Sequence, residues 1–100
     1  MKALLLREAR EDLRRGWLFY QSKSPGLGDY FLDSLSRDIQ DLETLRVTHQ
    51  VIHGFHVMPA RKFPFAIFYR IQNATIEIVA IIDGRRNPTW IGDRLGSDNN

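Results

Sequence analysis

The sequence has no cysteine, so disulfides and thiolate metal sites are excluded. It also lacks any apolar run near the roughly 18 residues that a membrane-spanning helix needs. The opening stretch, Met1-Lys2-Ala3-Leu4-Leu5-Leu6-Arg7, is shorter than the apolar part of a secretory leader. A soluble protein of the reducing cytoplasm is therefore expected, with no membrane association. No segment is of low complexity, and no internal repeat is visible. The charged fraction of 26% is too small, and the hydrophobic fraction of 43% too large, for a disordered chain.

What remains is enough for one small domain. The chain has 100 residues, and a domain of that size buries a modest share of its surface. One domain over residues 1–95 is expected, followed by a disordered polar tail at 96–100. The net charge of +2 is too slight to argue for nucleic acid by itself. Its distribution says more. Asp29, Asp33, Asp38, Asp41 and Glu43 are opposed by Arg37 alone in their stretch, whereas Arg61, Lys62, Arg70, Arg85, Arg86 and Arg94 fall in the second half. One acidic surface and one basic surface are expected.

The hydrophobic periods order the elements. Lys2 to Leu6 suits a short buried strand. From Glu8 to about Lys23, Ala9, Leu13, Trp17 and Tyr20 recur at helical spacing, and acidic residues open the first turns. Ser24-Pro25-Gly26 breaks the chain. A second helix from about Leu27 to Leu45 carries Phe31, Leu35, Ile39 and Leu42 on one stripe. The short break predicts an antiparallel helical hairpin. After Leu45 the period falls to two. Val51 to Met58 predicts one strand, and Pro59 and Pro64 bracket a loop with Arg61 and Lys62. Phe65–Gln72 and Ile76–Ile82 predict a β-hairpin, the second strand being apolar on both faces except for Glu77 and so interior to the sheet. Pro88 holds Asn87 out of helical geometry. The sum is an α+β domain, β-α-α-β-β-β, with the helical hairpin on one face of a mainly antiparallel sheet. The other face must be exposed or covered by something else.

Four strings in this order resemble the RelE/ParE toxin superfamily of bacterial type II toxin–antitoxin systems, over roughly residues 4–91. They are Glu8-Ala9-Arg10-Glu11-Asp12-Leu13 running on to Tyr20, and Pro25-Gly26-Leu27-Gly28 followed by Phe31-Leu32 and Leu35. The third is Phe63-Pro64-Phe65-Ala66-Ile67-Phe68-Tyr69-Arg70-Ile71, and the fourth is Arg85-Arg86-Asn87-Pro88 with Trp90. The third string is closest to the ParE-like branch. The resemblance implies a toxin that binds DNA gyrase, is neutralised by a cognate antitoxin in a hetero-oligomeric complex, and carries no cofactor. The alternative from the same superfamily is a ribosome-dependent mRNA interferase, a metal-independent endoribonuclease of the RelE type. A third is an attenuated toxin kept as an autoregulatory co-repressor.

The sequence departs from these patterns in two places. Asp83 stands where many ParE-like members have histidine before Gly-Arg-Arg. The stretch His56-Val57-Met58-Pro59-Ala60 and the early strand position Ala66 lack the basic side chains usual in the nuclease branch.

Metal-free RNA cleavage needs a base, an acid and cations. Arginine supplies only the last, because its pKa lies above about 12. A nuclease would rest on Arg61, Arg85 and Arg86, and no catalytic residue is assigned. As target-binding residues the candidates are Arg61, Lys62, Arg70, Arg85, Arg86 and Trp90. The guanidinium pair at a strand end leads, since it can grip carboxylate or phosphate. For the Arg85-Arg86 pair the competing expectation is a local ion pair with Asp83, for Arg70 a solvated strand face, and for Tyr69 and Trp90 simple packing. His49, His53 and His56 lie at spacings that do not converge on a metal from a strand or loop, so no metal site is expected.

Overall fold

The order of elements is β1 (Lys2–Leu5), α1 (Arg7–Lys23), α2 (Leu27–Thr44), β2 (Val51–Ile52), β3 (Phe55–Pro59), β4 (Phe65–Gln72), β5 (Thr75–Asp83) and α3 (Pro88–Asp98). They are taken from a computed structural model that describes residues 1–44 and 49–98. The sheet runs β1-β5-β4-β3-β2, with β1 parallel to β5 and every other pair antiparallel. This is the expected α+β architecture, with additions at two places.

The helical hairpin forms where the stripes predicted it. Leu45, given as the end of the second helix, lies outside the described residues. Two glycines set how closely α1 and α2 approach. A Cβ on Gly16 would sit 2.5 Å from the Phe31 ring, and one on Gly28 would sit 2.8 Å from the carbonyl oxygen of Trp17. The chain between the helices turns at Gly26, φ 88°. The Gln21 side chain then caps the new helix, its Oε1 accepting from the N–H groups of Gly26 and Gly28 at 3.1 Å each. Phe31 and Leu35 are fully buried against Ile67, Ile78 and Ile81 of the sheet. Each such side chain stabilises the fold by about 1.5–3 kcal/mol through burial.

β1 is a strand, as expected, but it is the sheet's edge and only half-buried, with Leu4 exposed. Its parallel pairing with β5 leaves one side open, where Glu43 of α2 accepts the Ala3 N–H at 2.7 Å. The stretch Val51–Met58 is two strands rather than one. His53 and Gly54 both take positive φ, 53° and 83°, which folds the chain back into the β2–β3 hairpin. The β4–β5 hairpin turns at Asn73 and Ala74, φ 52° and 60°.

A bulge breaks the β4–β5 register. Phe68 faces Ala80 while Tyr69 faces Ile78, so Val79 is the extra residue. Val79, Ala80 and Ile82 therefore point away from the helical hairpin, while Ile78 and Ile81 point toward it. The face they turn to is not bare. α3 lies there, and Leu95 and Ile91 pack with Phe55, Phe68 and Val79 into a second core. α3 is the main correction to the expected β-α-α-β-β-β order. Asn87 is indeed non-helical, but as a cap: its Oδ1 accepts the Thr89 N–H at 2.8 Å, and Pro88 takes the first helical position. The helix runs on through Asp98, across positions assigned to a disordered tail. Among the described residues, no helix is long and apolar enough to cross a membrane.

Candidate functional site

β1 stops pairing at Leu5, opposite Ile78, so the edge of β5 beyond Ile78 has no strand beside it. The Ile81 N–H on that edge is taken instead by a side chain. Asp12, buried in α1, accepts it through Oδ2 at 2.9 Å. The same carboxylate accepts both terminal nitrogens of Arg94 of α3, at 2.9 and 2.8 Å. A fork-to-fork pair of this kind is strong and directional. It clamps α3 to α1 across the end of β5.

Between α1, α3 and the end of β5 lies a cleft of about 440 Å³. Ile81, Ile82 and Phe65 line it from the sheet, Gly16, Phe19 and Tyr20 from α1, and Trp90 and Arg94 from α3. Arg15 and Arg86 add cations to its lining. Phe19 and Trp90 are exposed, large apolar rings that the core does not use. The helical spacing of Trp90 and Arg94 aims both at α1, while Leu95 points at the sheet.

The strand end beside the cleft is held by its own bonds. Gly84 donates to the Pro64 carbonyl at 2.8 Å, joining the β5 exit to the β3–β4 loop, and Arg86 donates its backbone N–H to the Asp83 carbonyl at 3.1 Å. Asp83 accepts from the Arg85 backbone at 2.9 Å and from the Arg85 guanidinium at 3.0 and 2.7 Å. These bonds from Arg85 hold the Asp83 carboxyl below its ordinary range and push Arg85 upward. Burial, with the Asp83 charge beyond it, raises the Tyr20 hydroxyl.

The residues singled out from the sequence are only partly gathered here. Arg86 and Trp90 meet in the cleft, with the guanidinium carbon 4.3 Å from the ring centroid. Arg85 lies beside them, engaged with Asp83. Lys62 is at the same end of the sheet, its ammonium 5.2 Å from the Tyr30 ring centroid. Arg61 turns to α2, where its N–H reaches Asp38 at 3.3 Å and its guanidinium pairs with Asp41. Burial raises the Asp38 carboxyl, against the opposing pull of Arg61. Arg70 lies at the opposite end of the sheet and is no solvated residue. It is half-buried and pairs at 2.7 Å with Glu77, its cross-strand neighbour.

The histidines lie elsewhere. His49 Nδ1 is 2.5 Å from the Tyr69 hydroxyl, His56 stacks on the Tyr69 ring, and His53 packs against Gly92 of α3. Among the described residues, no three acidic or histidine side chains are grouped to hold a metal.

Asp12, Arg15, Phe19 and Arg94 escaped sequence reasoning. Asp12 reads as one more acid in a first turn. Arg94 could have been found from the Asn-Pro cap, which starts a helix and places Trp90 and Arg94 one turn apart.

Comparison with known proteins adds three findings. Residues 4–88 match the family described as ParE toxin of type II toxin-antitoxin system, parDE. No curated protein matches the sequence. Among solved structures, the fold is similar to a chain titled "Chromosomal ParDE TA system from P. aeruginosa", with a TM-score of 0.75 and 17% identity. That alignment covers 83% of this chain and 95% of the other. Identity this low speaks for the fold alone, but the family match spans most of the chain. The chain belongs to the ParE toxin family of type II toxin–antitoxin systems.

Proposed function

We propose that the protein acts in the cytoplasm and arrests growth by binding DNA gyrase, without chemistry of its own. A cognate antitoxin neutralises it in a hetero-oligomeric complex. The observation that carries this reading is the makeup of the cleft and its rim. Arg86 and Trp90 supply grip within the cleft, Arg85 stands at its rim paired with Asp83, and among the described residues no histidine lines the cleft. Both lining carboxylates, Asp12 and Asp83, are engaged by arginines. RNA cleavage without a metal needs a free base near the reacting hydroxyl. Such an arrangement suits binding better than proton transfer. Of the other target-binding candidates, Lys62 joins this surface, while Arg61 and Arg70 serve mainly in ion pairs within the fold.

The test is induction in bacteria without antitoxin, following thymidine and amino-acid incorporation together. DNA synthesis is expected to fall first, and purified protein to stabilise gyrase cleavage complexes. The Arg85→Ala/Arg86→Ala double variant is expected to fold and to lose toxicity. Protein synthesis falling first, with cut messenger RNA, would replace gyrase by the interferase reading.

A further inference from the structure

Three aromatic side chains at this end of the molecule share an unusual arrangement. Phe19, Tyr30 and Trp90 are 53%, 48% and 40% exposed. Each carries a cation of this chain within about 5 Å of its ring: Lys23 at 4.9 Å, Lys62 at 5.2 Å and Arg86 at 4.3 Å. The rings belong to one surface. Phe19 meets Tyr20 at 5.1 Å between centroids, Tyr20 meets Phe63 at 4.8 Å, and Phe63 meets Tyr30 at 5.7 Å. Trp90 faces Phe19 and Tyr20 across the cleft. Among the described residues, Lys23, Lys62 and Arg86 form no ion pair with a carboxylate, whereas Arg61, Arg70 and Arg85 all do.

We propose that this surface docks an acidic segment of the toxin's target protein, whose carboxylates meet Lys23, Lys62 and Arg86 while one apolar side chain enters the cleft. The inference rests on the functional reading above and names the kind of segment that reading requires. Two observations favour a peptide over nucleic acid. Bases bind single-strand proteins by stacking on open ring faces, but here each exposed ring already carries a cation. The cleft is concave with an apolar floor of Phe65, Ile81 and Ile82, the form that receives a side-chain anchor. Charge complementarity supplies the rest. The unpaired cations sit around an apolar centre, as at the rim of a protein interface.

The experiment measures binding of the whole purified protein to gyrase, to its co-expressed antitoxin and to a single-stranded oligodeoxynucleotide, for wild type, Phe19→Ser, Arg86→Glu and Phe19→Ser/Arg86→Glu. These side chains are exposed, and circular dichroism with thermal melting checks that each variant folds. Each single variant is expected to lose about tenfold or more in gyrase affinity. Weakening by added salt should be smaller for Arg86→Glu than for wild type. Unchanged gyrase affinity in folded variants overturns the inference and leaves the gyrase reading standing. A wild type that does not bind gyrase overturns both. If the oligonucleotide binds and the variants release it, the surface is a nucleic-acid site and the proposal fails. If only the antitoxin's hold weakens, the surface belongs to the antitoxin and the proposal fails equally.

Discussion

The two faces of the sheet are covered by different means. One lies under α1 and α2, helices of 17 and 18 residues whose apolar stripes bury Phe31 and Leu35 completely. The other lies under α3, a helix of 11 residues that buries Leu95 and little else of its own. A long amphipathic hairpin holds itself down by area. A short helix lacks that area, because isolated helices of its length are marginal in water. Among the described residues, α3 is held by the Asn87 cap at its start and by Arg94 locked to Asp12. The family match stops at residue 88, where α3 begins.

The largest expected effect tests the area argument. Phe31→Ala should lower unfolding free energy by about 4 kcal/mol in urea titration, as truncation of a buried aromatic does. Leu95→Ala should cost less, about 2–3 kcal/mol, because α3 can relax toward solvent. Equal losses would break the contrast between the faces. Next comes the tether. Asp12→Ala removes the bidentate acceptor of Arg94 and the acceptor of the Ile81 N–H together, and should cost about 3 kcal/mol. Arg94→Ala should cost less, since Asp12 keeps its backbone donor and has Arg15 at 3.6 Å. A loss below about 1 kcal/mol for Asp12→Ala would mean that area alone holds α3.

A smaller effect is expected at the cap. Asn87→Ala should cost about 1 kcal/mol. Its mark should be faster amide hydrogen exchange across α3, with the hairpin unchanged. The smallest concerns pH on the hairpin face. Burial, and then the charge of His56, depresses His49 below its ordinary 6.5. The unfolded chain therefore takes up this proton first as pH falls. Stability from this group is complete above pH 6.5 and declines as pH drops toward the folded value. His49→Gln should flatten that part of the profile. A decline of unchanged size in the variant would assign it to other groups.

The same contrast explains what could be read from the sequence. The hairpin face was legible because its signals are local: Phe31, Leu35, Ile39 and Leu42 repeat within one helix, and Ser24-Pro25-Gly26 marks the break. The β4–β5 hairpin was legible for the same reason. The split at His53-Gly54 was missed because alternating apolar residues continue on both sides of it, and only Gly54 hints at a turn. α3 is missed because Pro88 is taken only as holding Asn87 out of helical geometry, and not as the first residue of a helix. Among the site residues, Arg86 and Trp90 lay close enough in sequence to be linked. The ion pairs of Arg61 and Arg70 are not legible, because their partners, Asp38, Asp41 and Glu77, are neighbours only after folding. Asp12 gave no signal, since its partner lies 82 residues away.

That distance has a meaning in time. Polymerisation at about 5–20 residues per second puts roughly 4–16 s between the making of Asp12 and that of Arg94. The hairpin emerges first, but β4, β5 and the clamp that completes the cleft follow it from the ribosome. Until then Asp12 has neither its guanidinium partner nor the Ile81 amide. The cleft is thus assembled in sequence as well as in space: the buried carboxylate of α1 must wait for both Ile81 and Arg94 before its bonds are made.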